Sequence, residues 1–378
     1  MRIGIDARMY GPSARGLGRY IQKLIDHLAI IDQDNEYYIY LGPHNWDDFQ
    51  TTNPRFFKVL VSARWYTLSE QIIFPLILWR SKLDLMHFPH FNVPLLYSRK
   101  FIMTIHDLII THYPDSRATT LATWLYRIKV AAYKVVLHFA IIRSEKIIAV
   151  SNYTKNDIVS LYPKADKKIV VIYEGYSVEH QVSSVVDLEK KYSISKPFIL
   201  YVGAAYPHKN LYRLIQAWKL IQHDLNNNYQ LVLVGKKDFF YQRLITDIEY
   251  QINEYNIIFT DYVNDQDLPL FYRFCLAYIF PSYLEGFGLP ALEAQSYGAP
   301  VIAADNSSLP EILNDSALYF NPYNIKDISQ KILTVIQDSS QRDELIKKGY
   351  LNHHHYDWLV MSRQTQEIYL ATDQHLST

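Results

Sequence analysis

Two glutamates eight positions apart, Glu285 and Glu293, bracket a glycine-rich loop in Phe280-Pro-Ser-Tyr-Leu-Glu285-Gly-Phe-Gly288-Leu-Pro-Ala-Leu-Glu293-Ala-Gln-Ser-Tyr-Gly298. No other window of the chain joins apolar flanks, clustered Gly and Pro, and two carboxylates. Such a pair can work as acid and base, or can hold hydroxyl groups. The glycines let backbone press close to a ligand, and the amides that follow open a helix, so the loop can grip a polar, electron-rich molecule. Taken singly, each glutamate has a plainer explanation. An acid in a first turn offsets the helix dipole, and Gly and Pro punctuate any strand-to-helix loop.

Other residues invite chemistry at different strand ends. Lys209, in the loop Ala204 to Asn210, can neutralise a diphosphate as a compact charge. His106 and Asp107 end the strand that begins at Phe101 and can serve proton chemistry or sugar binding, although a histidine there is often only structural. Gly16-Leu-Gly18-Arg19 follows the first strand as a loop able to approach a phosphate or an acceptor. It lacks the third glycine of a dinucleotide fingerprint, which removes a nicotinamide dehydrogenase from consideration. His353-His-His355 are consecutive and share no helix face, so they read as surface and not as a metal site.

These residues need elements to hold them. Short apolar strands alternate with helical periodicity along the whole chain, the pattern of parallel α/β layers. In the first half, strands are expected at Ile3 to Asp6, Tyr37 to Leu41, Phe57 to Val61, Leu85 to Phe88, Phe101 to Asp107, Lys146 to Val150 and Ile169 to Ile172. The pattern fades into polar residues from Tyr173 to Ser195, a linker, and then restarts. Strands follow at Phe198 to Gly203, Gln230 to Val234, Ile257 to Thr260, Leu276 to Phe280 and Val301 to Ala304, with a helix from Leu289 to Tyr297 and a last one from Asp357 to Ala371. Cys275 is expected buried in a strand. Two doubly wound halves joined by a hinge place a cleft between facing strand ends.

Composition sets outer limits. The 378 residues are 49% hydrophobic and 20% charged, and the 38 Lys and Arg balance 38 Asp and Glu, which leaves no global field to attract nucleic acid. A single cysteine excludes internal disulfides and fits a reducing compartment. The N-terminus enters a strand without a signal-peptide core, so a cytoplasmic location is expected. Residues 118–142 form a long helix in which Trp124, Tyr126 and Tyr133 alternate with Arg127, Lys129 and Lys134. It can lie on anionic lipid at the inner face of the plasma membrane, or pack its aromatics on the sheet as an ordinary surface helix.

Nearly the whole chain resembles the retaining glycosyltransferases of the group 1 type, family 4. The carriers are the Glu-x7-Glu stretch from Pro281, Gly16 to Tyr20, Thr104-Ile-His106-Asp107, Val150-Ser-Asn-Tyr-Thr, and Tyr201-Val-Gly203 leading to Lys209-Asn210, in the family's order. The mannosyltransferase-like branch that extends bacterial surface polysaccharides looks closest. The resemblance implies a GT-B fold, two Rossmann-like doubly wound domains facing across a deep cleft. Residues 1–175, with a crossover helix at 357–378, would bind the acceptor, and residues 176–356 the nucleotide-sugar.

By the same resemblance Glu285 and His106 are catalytic. Glu293 holds the ribose, Phe287, Gly288 and Leu289 hold sugar hydroxyls, Lys209, Gly16 and Gly18 face the diphosphate, and Gly203 also binds the donor. Val263 lies near the base, and Arg19 and Asp107 face the acceptor. Many relatives carry an arginine near the lysine, whereas Lys209 has His208 beside it and acts with it, with Arg19, or alone. No cofactor or metal is implied beyond a nucleotide-sugar co-substrate, GDP-mannose by the branch, with a saccharide or lipid-linked acceptor. UDP- or dTDP-sugars carrying glucose, GlcNAc or rhamnose, a sugar-nucleotide epimerase, and a binding protein that lost catalysis are the alternatives.

Overall fold

The computed structural model describes residues 1–11, 14–114, 119, 122–177, 188–222, 224–249 and 252–374. The chain forms two compact units. Unit 1 comprises Met1–His112, Thr123–Gly175 and Tyr356–Thr378, and unit 2 comprises Tyr113–Ala122 and Tyr176–His355.

Unit 1 runs β1 (Arg2–Asp6), α1 (Arg15–Ile31), β2 (Glu36–Leu41), β3 (Phe56–Leu60), α2 (Leu68–Arg80), β4 (Leu85–Phe88), β5 (Phe101–Ile105), α3 (Ile109–His112), α4 (Thr123–Arg143), β6 (Lys146–Ala149), α5 (Asn152–Leu161) and β7 (Ile169–Val171). The strands pair in parallel in the order β3-β2-β1-β4-β5-β6-β7. Helix α1 buries Tyr20, Leu24 and Leu28 on one stripe, the period-3.6 face that the sequence announces. On another side Phe74 and Leu78 of α2 and Tyr133, Leu137, Ala140 and Ile141 of α4 join one apolar cluster with Phe88, Phe101 and Met103 of the sheet. The terminal helix, Trp358–Gln374, packs in unit 1, where the Tyr369 hydroxyl and His87 Nδ1 are 2.7 Å apart.

Unit 2 runs α6 (Leu188–Tyr192), β8 (Phe198–Val202), α7 (Leu211–Gln222), β9 (Gln230–Val234), α8 (Phe239–Ile248), β10 (Ile257–Asp261), α9 (Leu268–Phe274), β11 (Ala277–Phe280), α10 (Leu289–Ser296), β12 (Val301–Ala304), α11 (Leu309–Leu313), β13 (Ala317–Phe320), α12 (Ile325–Gln337) and α13 (Ser339–His353). Its six strands are parallel in the order β10-β9-β8-β11-β12-β13. Strands β9, β11 and β12 are buried at every position, as parallel strands covered on both faces must be. Trp218 of α7 is fully buried, and burying a large apolar side chain is worth about 1.5–3 kcal/mol.

Some expectations change. Cys275 is buried but caps the C-terminus of α9, because Pro269 starts a helix there and the strand begins only at Ala277. His353 is buried against Tyr350 and Tyr176 and is not a surface residue, since it ends the α13 face that packs on α10. Burial, then His354, pushes its pKa down to about 4. Helix α4 begins at Thr123. Residues 118, 120 and 121 of the expected helix, 178–187 of the expected linker, and 12 and 13 of the expected glycine loop lie outside the described residues.

One charged cluster is buried in unit 1. Arg8, 1% exposed, grips Asp6 through two hydrogen bonds of 2.8 and 2.7 Å and Glu70 through one of 2.6 Å. Glu70 also accepts from Asn92 at 2.8 Å and from the Tyr66 amide at 2.7 Å, which holds Tyr66 at a φ of 57°. Burial works against the guanidinium, and Asp6 and then Glu70 more than offset it, so the Arg8 pKa is raised. Removing Glu70 leaves Arg8 paired with Asp6 but takes the acceptor from buried Arg8 and Asn92 donors, and an unsatisfied buried donor costs about 1–3 kcal/mol. Glu70→Ala is therefore expected to lower stability by about that amount. Hydrogen exchange checks this: amide protection should fall in β1 and α2 while β8 to β13 keep theirs.

Candidate active site

In unit 2 the strand order reverses at β8, with β9 and β10 to one side and β11, β12 and β13 to the other. The carboxyl ends of β8 and β11 therefore flank the switch point at which open α/β sheets bind their ligands. Lys209 follows β8 and Glu285 follows β11. Lys209 Nζ lies 2.6 Å from Glu285 Oε1, with the two side chains 19% and 11% exposed. The ammonium also stands 5.8 Å from the Phe280 ring centroid.

Local sequence explains why the two loops hold these positions. The chain leaves β8 at Gly203, φ 154°, where a Cβ would meet the Tyr201 hydroxyl. A turn at Pro207–Lys209 closes on Asn210 in the left-handed region, φ 60°. Buried Asn210 donates its side-chain amide to the Pro281 and Pro322 carbonyls at 3.0 and 2.9 Å, and the Tyr283 amide donates to the His208 carbonyl at 2.8 Å. A third segment backs them. Ser308 donates its hydroxyl to the Glu285 and Phe287 carbonyls at 3.1 and 3.0 Å, Ser307 Oγ accepts from the Glu285 amide at 3.2 Å, and the Asn306 side-chain amide donates to the Tyr283 carbonyl at 2.6 Å.

Helix α10 starts behind this loop. Gly288, φ 118°, is its N-cap and Pro290 sits in the first turn, so Glu293 lies one turn inside. The Tyr272 hydroxyl donates to Glu293 Oε2 at 3.2 Å, and burial, then Glu293, raises the Tyr272 pKa. Phe287 and Gly288 are buried and Leu289 is half-buried. On the neighbouring strand ends, the Gly203 carbonyl accepts from the Tyr241 hydroxyl at 3.0 Å, and Val263 is buried beside exposed Tyr262. His208 contributes no charge: burial, then Lys209, pushes its pKa down to about 4, and its ring stacks on Tyr206. Tyr283 stacks between Tyr113 and Tyr323, with Arg213 over its face.

In unit 1 the order reverses at β1, beside β4. The expected glycine loop is different: α1 begins at Arg15, so Gly16 and Gly18 are in its first turn. The reason is close packing. The Gly11 amide donates to the Gly18 carbonyl at 3.3 Å, and a Cβ on Gly18 would collide with the Gly11 carbonyl oxygen. Gly16 is exposed with open space where a Cβ would stand, and Arg19 is half-buried. Asp107 Oδ1 accepts from the Ile109 amide at 2.9 Å, which starts α3. His106 binds Glu174 through Nδ1 at 2.7 Å and the Pro89 carbonyl through Nε2 at 3.0 Å. Burial opposes its charge, but the hydrogen bond and charge of Glu174 outweigh that and raise its pKa.

The structure thus joins Lys209, Glu285, Phe287, Gly288, Leu289 and Glu293 in one part of unit 2 and sets Gly16, Gly18, Arg19, His106 and Asp107 in unit 1. A lysine, helix-opening amides and a carboxylate at one switch point can hold an anion and hydroxyl groups together. In each of the two Asp-x-Asp triplets, 32–34 and 265–267, one carboxylate is already bonded within the fold. Asp32 accepts from Tyr37 and Asn35, and Asp267 from Lys191 and Tyr192. Sequence reasoning missed Tyr272, Asn306 to Ser308, and Glu174. The Asp267-Leu-Pro269 start of α9 was a signal for Tyr272; no local signal marks the others.

Residues 187–352 match the family model for group 1 glycosyl transferases, and residues 14–180 match the model for glycosyltransferase family 4. O-antigen chain mannosyltransferase B of Escherichia coli is 27% identical over 374 residues, covering 94% of this chain and 95% of that protein. O-antigen chain mannosyltransferase RfbU of Salmonella typhimurium is 28% identical over 276 residues, 72% of this chain and 70% of that one. Among solved structures, sucrose-phosphate synthase from Thermosynechococcus elongatus superposes with a TM-score of 0.74 at 19% identity, covering 98% of both chains. Anabaena Alr3699/HepE in complex with UDP and glucose gives 0.70 at 15% identity, covering 97% of this chain and 98% of that one. With two parallel-sheet Rossmann-like domains and both halves matched, the chain belongs to the group 1, family 4 glycosyltransferases of GT-B fold.

Proposed function

We propose that this glycosyltransferase moves mannose from GDP-mannose to a growing surface glycan or lipid-linked saccharide, with retention and without a metal. The observation that carries the reading is the Lys209–Glu285 pair at the β8/β11 reversal. The choice of mannose rests on the relatives named O-antigen mannosyltransferases; HepE, described with UDP and glucose, makes a UDP-sugar the rival.

In this reading Lys209 and the amides opening α10 stabilise the charge that grows on the departing diphosphate, while Glu285 contacts the sugar beside the reacting carbon and Glu293 the ribose. The acceptor oxygen bonds to the anomeric carbon on the face the phosphate leaves. The carbon–phosphate oxygen bond breaks with its electron pair going to the phosphate, which takes the acceptor's proton. Lys209 must exchange its contact with Glu285 for the diphosphate, so the two residues respond differently to substitution. Glu285→Gln is expected to cut transfer by about 10²–10³ while nucleoside diphosphate binding stays near native. Lys209→Ala should weaken both. Transfer kinetics with calorimetric nucleotide titration checks this, and full activity of Glu285→Gln would sink the mechanism.

A thermal-shift series with GDP-, UDP-, dTDP- and ADP-sugars checks the donor. Ligand at a hundredfold excess over its Kd stabilises by about 2.7 kcal/mol, so GDP-mannose should give the largest shift and a larger UDP-sugar shift would reverse the choice.

Peripheral attachment to anionic lipid at the inner face of the plasma membrane belongs to the same reading. Helix α4 carries Arg127, Lys129, Lys134 and Arg143 and no acidic residue, and it exposes Trp124 (63%), Ile128, Val135, Phe139 and Ile142. Helix α2 exposes Leu68 (85%), Ile72, Leu76 and Trp79, and Lys129 lies over the Tyr66 ring at 5.6 Å near its start. Among the described residues no helix is long and apolar enough to cross a membrane. Flotation with phosphatidylglycerol vesicles should capture the protein at low salt, and Lys129→Glu with Lys134→Glu should reduce capture several-fold. Indifference to the vesicles at low salt would remove the attachment.

A further inference from the structure

His106 is held at both ring nitrogens by groups that accept hydrogen bonds. Nδ1 is 2.7 Å from Glu174 Oε1, and Nε2 is 3.0 Å from the Pro89 carbonyl oxygen. A backbone carbonyl has no proton to give and neither has a carboxylate ion, so both nitrogens carry hydrogen and the ring is an imidazolium. Such a ring has no lone pair with which to take a proton from a hydroxyl group. Glu174 is 5% exposed, and among the described residues its ion pair is with His106, whose side chain is 16% exposed. A carboxylate at that depth needs a paired cation.

The surroundings favour the same state. Tyr20 of α1 packs edge-on against the His106 ring at 4.7 Å, and burial raises its phenol pKa, which keeps it neutral. Burial, then the charge on His106, pushes His87 of β4 and His90 just beyond it down to about 3, so both remain neutral. Asp107 is the other ionised group beside the ring. The two carboxylates Glu174 and Asp107 both favour the positive charge on His106. Glu174 is one residue before the end of the Thr123–Gly175 segment of unit 1. The next residue, Gly175, has no Cβ and so fits against the Asp357–Trp358 backbone, and the chain enters unit 2 at Tyr176.

We propose that Glu174 is a positioning residue for sugar transfer: it holds His106 doubly protonated at the end of β5, so that His106 acts as a fixed positive charge and not as a base. This rests on the expectation, drawn from the family resemblance, that His106 is catalytic. It accords with the proton passing from the acceptor oxygen to the leaving phosphate. The stabilisation from the pair is full below the unfolded histidine value, about 6.5, and is lost as pH rises through the raised value of His106.

The first measurement needs no variant. Long-range nitrogen–proton NMR of the histidine rings, with His106 assigned by its loss in His106→Ala, should find both nitrogens protonated at pH 7. In Glu174→Gln the ring should titrate at least one pH unit lower. The second measurement follows kcat and KM against pH with the nucleotide-sugar that ranks first in the thermal-shift series. Glu174→Gln should lower kcat tenfold or more at pH 8 with donor KM within twofold, and its alkaline limb should move to lower pH. Glu174→Asp, which keeps the charge, should recover part of both. A neutral His106 at pH 7 in the native protein overturns the proposal, as does a Glu174→Gln profile that superimposes on the native one beside a slow His106→Ala. His106→Ala at full rate with a charged ring in the native protein overturns the underlying reading of His106 and the proposal with it.

Discussion

A lysine and a glutamate 76 residues apart share one mostly buried salt bridge, and much of unit 2 is arranged so that they meet. Two short side chains cannot bridge that separation unless the strands behind them are neighbours, and β8 and β11 are neighbours only because the sheet reverses there. The loops then have to be held, since a salt bridge contributes little unless its geometry is fixed by something else. Asn210, Ser307, Ser308 and the Tyr283 amide supply that fixing through hydrogen bonds to backbone. The pair is therefore an effect of rigid loops more than their cause. A diphosphate that replaced Glu285 as the partner of Lys209 would enter a frame already formed.

Unit 1 meets the same constraint with a different distribution of charge. Its strand ends carry a fully buried guanidinium between two carboxylates, and an imidazolium between a carboxylate and a carbonyl. In each set the buried cation has at least one carboxylate against it, as a low-dielectric interior demands. Arg8 holds the loop after β1 to α2, and His106 holds the end of β5 to Glu174, beyond β7. Buried ions here fix where loops go, and replacing them by apolar groups would keep the core but release the loops.

What the sequence made legible follows from how local each signal was. The parallel strands announced themselves as apolar runs, because strands covered on both faces tolerate little else, and Gly288 with Pro290 marked the start of α10 within a few residues. The Glu285 loop could be read as a unit because its glycines, its helix start and both glutamates lie in one continuous window. Gly18 misled in detail, since a glycine required by a close backbone contact looks in sequence like one required by a flexible loop. Cys275 misled because the helix before it is only seven residues long and its period is too short to register against an apolar strand two residues on. Helices α5 and α8 passed unnoticed for a related reason, although Ser151 and Asp238 cap them through their side chains.

The least legible part is the protonation of His106, and the reason is physical. A histidine's charge is set by what its two nitrogens touch, and here one partner is 68 residues away and the other is a backbone carbonyl that any residue type could have supplied. Neither leaves a mark beside His106 in the sequence. Its position at the end of β5 could be read from the apolar run before it, and with position came the idea of a group able to take up a proton. The contacts reverse that idea. A ring that donates from both nitrogens can align and stabilise but cannot accept, so the same residue at the same strand end would do different chemistry if Glu174 were neutral. The sequence locates the group; the carboxylate across the fold determines what it is able to do.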